Sequence, residues 1–255
     1  MSFKAVLFDL DGTLLDTIAD LTEAMNGAMA TLGHPPRTVE ECKIFVGDGV
    51  VNFARRALPA QHNDDQTVGR CVKQMRVEYG KRWAQKTRPY PGIAELLTEL
   101  ERRGVAMAVL SNKPQEFTEL MVAQLLGGWK FQAVHGARPD VAIKPDPGAA
   151  LDIAREMGVE PGEFLYVGDT DTDMQTAVGA GMFPVGALWG FRPGEELTRH
   201  GAKVLIASPG GNCSESSWRP WRSPILSVLG AMLPREAGKH VLAWGRLSGM
   251  LLRFA

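Results

Sequence analysis

Short apolar runs that stop on polar or glycine residues recur along this chain, at Phe3–Phe8, Val105–Leu110, Phe164–Val167 and Phe183–Leu188, and helix-like segments separate most of them. That alternation predicts a parallel sheet, because parallel strands need a crossover between them and a helix usually supplies it. Phe131–Val134 and Val204–Ile206 are weaker strand candidates. Gly92–Arg103, Glu116–Leu126, Pro147–Met157 and Thr172–Ala180 are the helical candidates that fill the gaps. The simplest architecture with this order is an open, doubly wound α/β domain.

The stretch between Phe8 and Val105 is far longer than the dozen or so residues a crossover needs. Helical patterns at Asp20–Leu32, Val50–Leu58 and Asp65–Trp83, separated by the breakers Gly33, Pro35, Pro36 and Pro59, predict a small inserted α-helical domain. The expected division is a core of residues 1–16 and 89–209 and a helical cap of residues 17–88. Arg88-Pro-Tyr-Pro-Gly92 reads as a stiff return, since Pro89 and Pro91 restrict their own φ and their predecessors.

Composition excludes little but narrows the partners. The 255 residues, 45% hydrophobic and 22% charged, carry a formal net charge of −1, so no whole-molecule field favours nucleic acid or a membrane. No apolar run reaches the ~18 residues of a membrane span, so stable insertion is not expected. The N-terminus lacks a long apolar leader, and a cytoplasmic location is the expectation. Cys42, Cys71 and Cys213 have no metal-ligand spacing and suggest ordinary thiols. Residues 210–255 hold six Lys/Arg against two Asp/Glu, whereas residues 1–209 hold 22 against 27. This glycine-rich, basic tail, with helical patterns at Ile225–Leu233 and His240–Leu252, reads either as the product of a reading-frame change or as an added partner- or membrane-surface segment.

The chemistry concentrates at two strand ends. Phe8-Asp9-Leu10-Asp11-Gly12-Thr13 closes an apolar run with two aspartates one residue apart, and alternation lets both converge on one site while Gly12 turns the backbone. Tyr166-Val-Gly-Asp169-Thr-Asp171-Thr-Asp173 repeats the arrangement at a second strand end and opens a helix. Either cluster alone is also what an ordinary helix N-cap looks like. Together, at the ends of two strands of one sheet, they point to a shared acidic site that takes a hard cation such as Mg²⁺. Asp16, Asp20 and Asp171 read as helix-start or surface residues.

At these positions the chain resembles the haloacid dehalogenase-like hydrolase superfamily, whose four motifs follow four strands of a Rossmann-like sheet. The motifs are Asp9-Leu-Asp11-Gly-Thr13, Leu110-Ser111-Asn112, Lys144-Pro145 and Gly168-Asp169-Thr-Asp-Thr-Asp173, in the required order, and the resemblance covers residues 3–209. It implies a phosphomonoester hydrolase in which Asp9 attacks phosphorus and Asp11 serves as acid and then base. It further implies that Asp9, Asp169, the main-chain carbonyl of Asp11 and Asp173 serve Mg²⁺, that Ser111 and Asn112 bind phosphate with Thr13 beside them, and that Lys144 offsets charge in the transition state.

Val46-Gly-Asp-Gly-Val50, Arg55-Arg-Ala-Leu58, Pro89-Tyr-Pro-Gly92, Ser111-Asn-Lys-Pro114 and Trp189-Gly-Phe191 are most similar to the phosphoglycolate phosphatase branch. That similarity implies a small phosphorylated metabolite as substrate and a cap loop at Gly47, with Asn52, Arg55 and Arg56 as candidates to meet a substrate carboxylate. A β-phosphoglucomutase-like phosphomutase shares the core motifs, and a catalytically silent binding module keeps the fold without turnover. Intact Asp9, Asp11, Lys144 and Asp169 argue against the silent module.

Overall fold

A computed structural model of the chain describes residues 3–210. Strand β1 (Ala5–Phe8) passes through a two-residue strand, β2 (Leu15–Asp16), into the helices α1 (Ile18–Thr31), α2 (Val39–Phe45), α3 (Gly49–Ala57) and α4 (Asp65–Gly80). The chain returns through β3 (Arg88–Pro89) and then alternates: α5 (Ile93–Arg102), β4 (Ala106–Pro114), α6 (Gln115–Leu125), β5 (Ala133–Ala137), α7 (Gly148–Met157), β6 (Phe164–Gly168), α8 (Asp171–Ala180), β7 (Phe183–Ala187), α9 (Gly194–Arg199) and β8 (Val204–Ile206). All six expected strands are present and pair in parallel in the order β5-β4-β1-β6-β7-β8.

Alternation along the central strands builds two cores. Val6 and Phe8 of β1, Met107 and Val109 of β4, and Leu165 and Val167 of β6 pack with the apolar faces of α5 and α6. Ala5 and Leu7, Ala108 and Leu110, and Phe164 and Tyr166 pack on the other side with α7 and α8. Helices therefore cover both faces, which makes the fold an α/β, Rossmann-like doubly wound sheet.

The helices between β2 and β3 bury a third cluster of their own, centred on Met25, Met29, Phe53 and Met75. Three of them match the expected patterns, whereas α2 does not. It is held by a capping box: the Glu41 N–H donates to the Thr38 hydroxyl at 3.2 Å and the Thr38 N–H donates to the Glu41 carboxylate at 2.8 Å. Entry and exit of the insert are tied together. β2 and β3 pair antiparallel, Leu15 with Pro89 and Asp16 with Arg88.

Asp20 stands in the first turn of α1, as a helix-start residue does, but it is fully buried rather than on the surface. Its carboxylate accepts the Lys86 N–H at 2.9 and 3.1 Å, the Thr87 N–H at 2.8 Å and the Thr87 hydroxyl at 2.8 Å, fastening the first turn of α1 to the return segment. Asp16 is exposed and Asp171 starts α8, as expected. No helix among the described residues is long and apolar enough to cross a membrane. The tail beyond Gly210, including both of its helical patterns, lies outside the described residues.

Candidate active site

The winding of the sheet reverses at β1: the chain runs outward through β4 and β5, then crosses back to β6, β7 and β8. Crevices at such reversal points, beyond the carboxyl ends of the strands, are where open α/β sheets take ligands. Asp9 follows β1 and donates its N–H to the Val167 carbonyl of β6 at 2.9 Å. Ser111 and Asn112 lie in the last part of β4, and Asp169 follows β6.

Ligand-capable oxygens of Asp9, Asp169 and Asp173 lie within 4.8 Å of one another, and all three residues are buried. The Lys144 ammonium enters the same cluster, 2.8 Å from Asp9 Oδ1 and 2.6 Å from Asp173 Oδ1. Three carboxylates against one ammonium leave an excess of negative charge in a desolvated place. Burial, then the Asp173 charge, push the Asp9 carboxyl well above the ordinary carboxylate range despite Lys144. Burial and Asp173 likewise raise Asp169 to about 7, opposed by the hydrogen bonds from Thr13 and Phe191. Burial disfavours the Lys144 ammonium, but Asp173 and Asp9 outweigh it and keep the group charged. A divalent cation among these oxygens would balance the excess of two negative charges. The hard donor set fits such an ion.

The surroundings hold Asp169 in one orientation. Its carboxylate accepts the Thr13 hydroxyl at 2.7 Å and the Phe191 N–H at 2.8 Å. Gly12, at φ 91°, leaves the room that Asp169 fills, since a Cβ there would lie 2.3 Å from its Oδ2. Asp173 doubles as the capping-box residue of α8, accepting the Thr170 hydroxyl at 2.6 Å and the Thr170 N–H at 3.0 Å. The sequence placed Thr13 beside the substrate; the structure buries it completely and spends its hydroxyl on Asp169.

A cleft enclosing about 660 Å³, part of it open to solvent, lies over this cluster. Asp9, Asp11, Ser111, Asn112, Lys113 and Lys144 line its sheet side. The Asp11 carboxylate is not among the three clustered ones: Lys113 donates to both of its oxygens at 2.9 Å. The Lys113 ammonium also sits 4.6 Å from the centroid of the Tyr79 ring. Burial opposes the charge on Lys113, but Asp11 and then Tyr79 overcome it and raise its pKa. The Tyr79 hydroxyl is itself pushed up to about 12, chiefly by burial. Lys113 thus lines the cleft on Asp11 and is a residue that the sequence did not single out, although it stands inside the Ser-Asn-Lys-Pro phrase.

Asn112 contributes more than its backbone. Its side-chain amide donates to the Gly47 carbonyl at 2.9 Å and the Lys144 carbonyl at 3.0 Å, and its Oδ1 accepts the Lys144 N–H at 2.8 Å. Gly47 thus reaches the site from the insert, on a loop that Arg192 also secures. The Arg192 guanidinium donates to the carbonyls of Lys43, of Ile44 at 3.0 Å and of Val46 at 2.7 Å, covering the last carbonyls of α2. No spacing in the sequence singles out Arg192.

The basic residues expected on α3 go elsewhere. Val50, Phe53, Ala54 and Ala57 point inward at helical spacing, which turns positions 52, 55 and 56 away. Arg55 donates to the Asn63 carbonyl at 2.9 Å and pairs with Asp65 at 2.7 Å, Arg56 pairs with Asp48, and Asn52 donates to the Asp48 carbonyl at 3.1 Å. None of the three lines the cleft; Arg76 of α4 does.

An acidic, cation-ready centre at the reversal point of a doubly wound sheet, with two lysines on three carboxylates, defines a class of site suited to metal-assisted chemistry on an anionic ligand. Residues 3–181 match the family model for haloacid dehalogenase-like hydrolases, and the chain belongs to that family. It is 34% identical over 207 residues to the phosphoglycolate phosphatase of Pseudomonas savastanoi pv. phaseolicola, covering 80% of this chain and 76% of the relative. It is 31% identical over 206 residues to phosphoglycolate phosphatase 1 of Pseudomonas aeruginosa, with the same coverage of 80% and 76%. A crystal structure from Lactobacillus delbrueckii subsp. bulgaricus, provisionally named a phosphoglycolate phosphatase, superposes with a TM-score of 0.75 at 34% identity, covering 82% of this chain and 95% of that one.

Proposed function

We propose that this chain is a Mg²⁺-dependent phosphomonoester hydrolase working through an aspartyl-phosphate on Asp9, with phosphoglycolate as its substrate. The observation that carries the reading is a single cleft in which Asp9, Asp11, Ser111, Asn112 and Lys144 face one space above the Asp9, Asp169 and Asp173 cluster. The phosphoglycolate phosphatases among its relatives direct the choice of ester.

In the first step a carboxylate oxygen of Asp9 attacks phosphorus, the bond to the ester oxygen breaks, and Asp11 gives that oxygen a proton. In the second step water attacks the phosphoryl group on Asp9, Asp11 takes the proton from that water, and inorganic phosphate leaves with Asp9 restored. Lys144 stabilises the charge that develops on the phosphoryl oxygens, and Ser111 with the Asn112 backbone orients them. Asp9, Asp169 and Asp173, with the Asp11 carbonyl, would hold Mg²⁺, which when bound offsets repulsion between carboxylate and phosphate. Residues 17–88 act as a cap over a core of residues 1–16 and 89–209. Support for that division comes from the separate apolar cluster of the insert and the paired strands through which it enters and leaves. The reaction takes place in the cytoplasm, on a small metabolite and without nucleic acid.

Phosphate release from phosphoglycolate and a panel of other phosphomonoesters, with and without Mg²⁺, tests the reading. Metal-dependent turnover with phosphoglycolate preferred is the expected result. No release from any ester by folded protein would sink it, and interconversion of sugar phosphates in place of release would point to a phosphomutase.

A further inference from the structure

Among the described residues lining the cleft, three are basic: Lys113, Lys144 and Arg76. Two are already committed. Lys144 is buried between Asp9 and Asp173, at 2.8 and 2.6 Å, and Lys113 is buried on both oxygens of Asp11 at 2.9 Å. Arg76 differs. It lies on α4 of the insert, its side chain is 53% exposed, and its ion-pair partner, Glu116 of α6, is 58% exposed at 3.2 Å. Ion pairs between exposed side chains are weak and readily exchanged, unlike the two buried ones.

Charge counting shows what Arg76 is free to do. Asp9, Asp169 and Asp173 against Lys144 leave the excess of two negative charges that one divalent cation would balance, and Lys113 is held on Asp11. A substrate with a second anionic group beyond its phosphate therefore finds no spare positive charge on the sheet side. The insert side is largely apolar, with Leu21, Val50, Phe53 and Met75 on the wall, so among the described residues Arg76, held only by the exposed Glu116, is the cation there that a ligand can most readily draw away. Its planar fork pairs bidentately with a carboxylate as it does with a phosphate, and the substrate's phosphate is taken by the sheet side.

We infer that Arg76 determines specificity by binding the carboxylate of a phosphorylated carboxylic acid, exchanging Glu116 for it. The inference rests on the phosphatase reading above and adds a substrate class to it: phosphomonoesters that carry a carboxylate within reach of the cap helix α4. Glu116 then acts as an internal competitor, occupying the guanidinium when no such substrate is bound.

The test compares phosphoglycolate with ethyl phosphate, which has the same phosphate on a two-carbon chain but no carboxylate. The readout is the ratio of their kcat/KM values, measured with Mg²⁺ for wild type, Arg76→Gln, Arg76→Lys and Glu116→Gln. Arg76→Gln is expected to lower the ratio about 10- to 100-fold, the range for losing a hydrogen-bonded charge partner. Arg76→Lys should lower it less, and Glu116→Gln should raise it a few-fold. A ratio unmoved in both Arg76→Gln and Glu116→Gln overturns the inference while leaving the phosphatase intact. Turnover of neither ester by wild type overturns the underlying reading and the inference with it. Should Arg76→Gln fail to fold, Arg76→Lys and Glu116→Gln decide the matter.

Discussion

Replacing Asp20 with alanine removes a carboxylate that no part of the proposed chemistry uses, so its effect isolates the join between core and insert. Four contacts from three donors are lost: the Lys86 N–H, the Thr87 N–H and the Thr87 hydroxyl. Lys86 is exposed and its N–H can turn to water, whereas Thr87 is fully buried and keeps two donors without a partner. Each orphaned buried donor costs about 1–3 kcal/mol, which gives about 2–6 kcal/mol for the pair. Release of a buried carboxylate from its desolvation penalty works the other way, so the lower half of the range, about 2–4 kcal/mol, is the expected loss. At roughly 2–4 °C per kcal/mol for a chain of this size, thermal unfolding followed by circular dichroism should show a fall in Tm of about 4–16 °C. Asp20→Asn, which keeps one acceptor, should lose about half as much. In the Asp20→Ala background, Thr87→Val should add little, because it deletes one of the orphaned donors. A Tm unchanged in Asp20→Ala would refute the reasoning.

Three further outcomes follow from other contacts of the structure. Thr13→Val deletes the hydroxyl that holds Asp169 and should raise the Mg²⁺ concentration for half-maximal phosphatase activity about 10- to 100-fold, as losses of groups that orient metal ligands do; a Mg²⁺ titration of the variant measures it. Arg192→Ala exposes the last carbonyls of α2 and loosens the Gly47 loop, so KM for phosphoglycolate should rise more than kcat falls, with both parameters read from steady-state kinetics. Glu99 is held down to about 2 by Arg102 and then Arg103, below its ordinary 4.5. Its stabilisation is therefore complete above about pH 4.5 and fades as pH falls toward 2, when the carboxylate takes up its proton. Urea melts of wild type and Glu99→Gln should differ by at most about 1 kcal/mol at pH 7, and the difference should vanish near pH 2.

The strands were legible because buried parallel strands carry their own signature in short apolar runs. Their bounds were less so: the strand expected at Phe131–Val134 lies at Ala133–Ala137, and β4, expected to end at Leu110, runs to Pro114, because polar Ser111, Asn112 and Lys113 continue as strand while lining the cleft. α2 escaped notice since seven residues give too little periodicity, although Thr38 and Glu41 stood three apart as a capping box requires. Asp9 and Asp169 could be read because strand ends fix where side chains gather. Asp20, Lys113 and Arg192 could not, since their partners lie 66, 102 and about 146 residues away and only the fold brings them together.

The arginines teach a narrower lesson. On α3 the inward positions 50, 53, 54 and 57 leave Arg55 and Arg56, both offered as candidates by the sequence, off the cleft. The same helical spacing on α4, where Val68, Cys71, Met75 and Tyr79 are buried, sets Arg76 at the edge of the inward face. What the sequence lacked was the orientation of both helices over the sheet, and that depends on tertiary packing.

The most direct test of the central claim is to mix the enzyme with phosphoglycolate and Mg²⁺, quench in acid within the first turnover, and analyse the digested protein by mass spectrometry. The account predicts a phosphoryl adduct on the peptide that contains Asp9, absent in Asp9→Asn and decaying as phosphate is released. Phosphate release at full rate by Asp9→Asn, or an adduct mapped to any other residue, would contradict it.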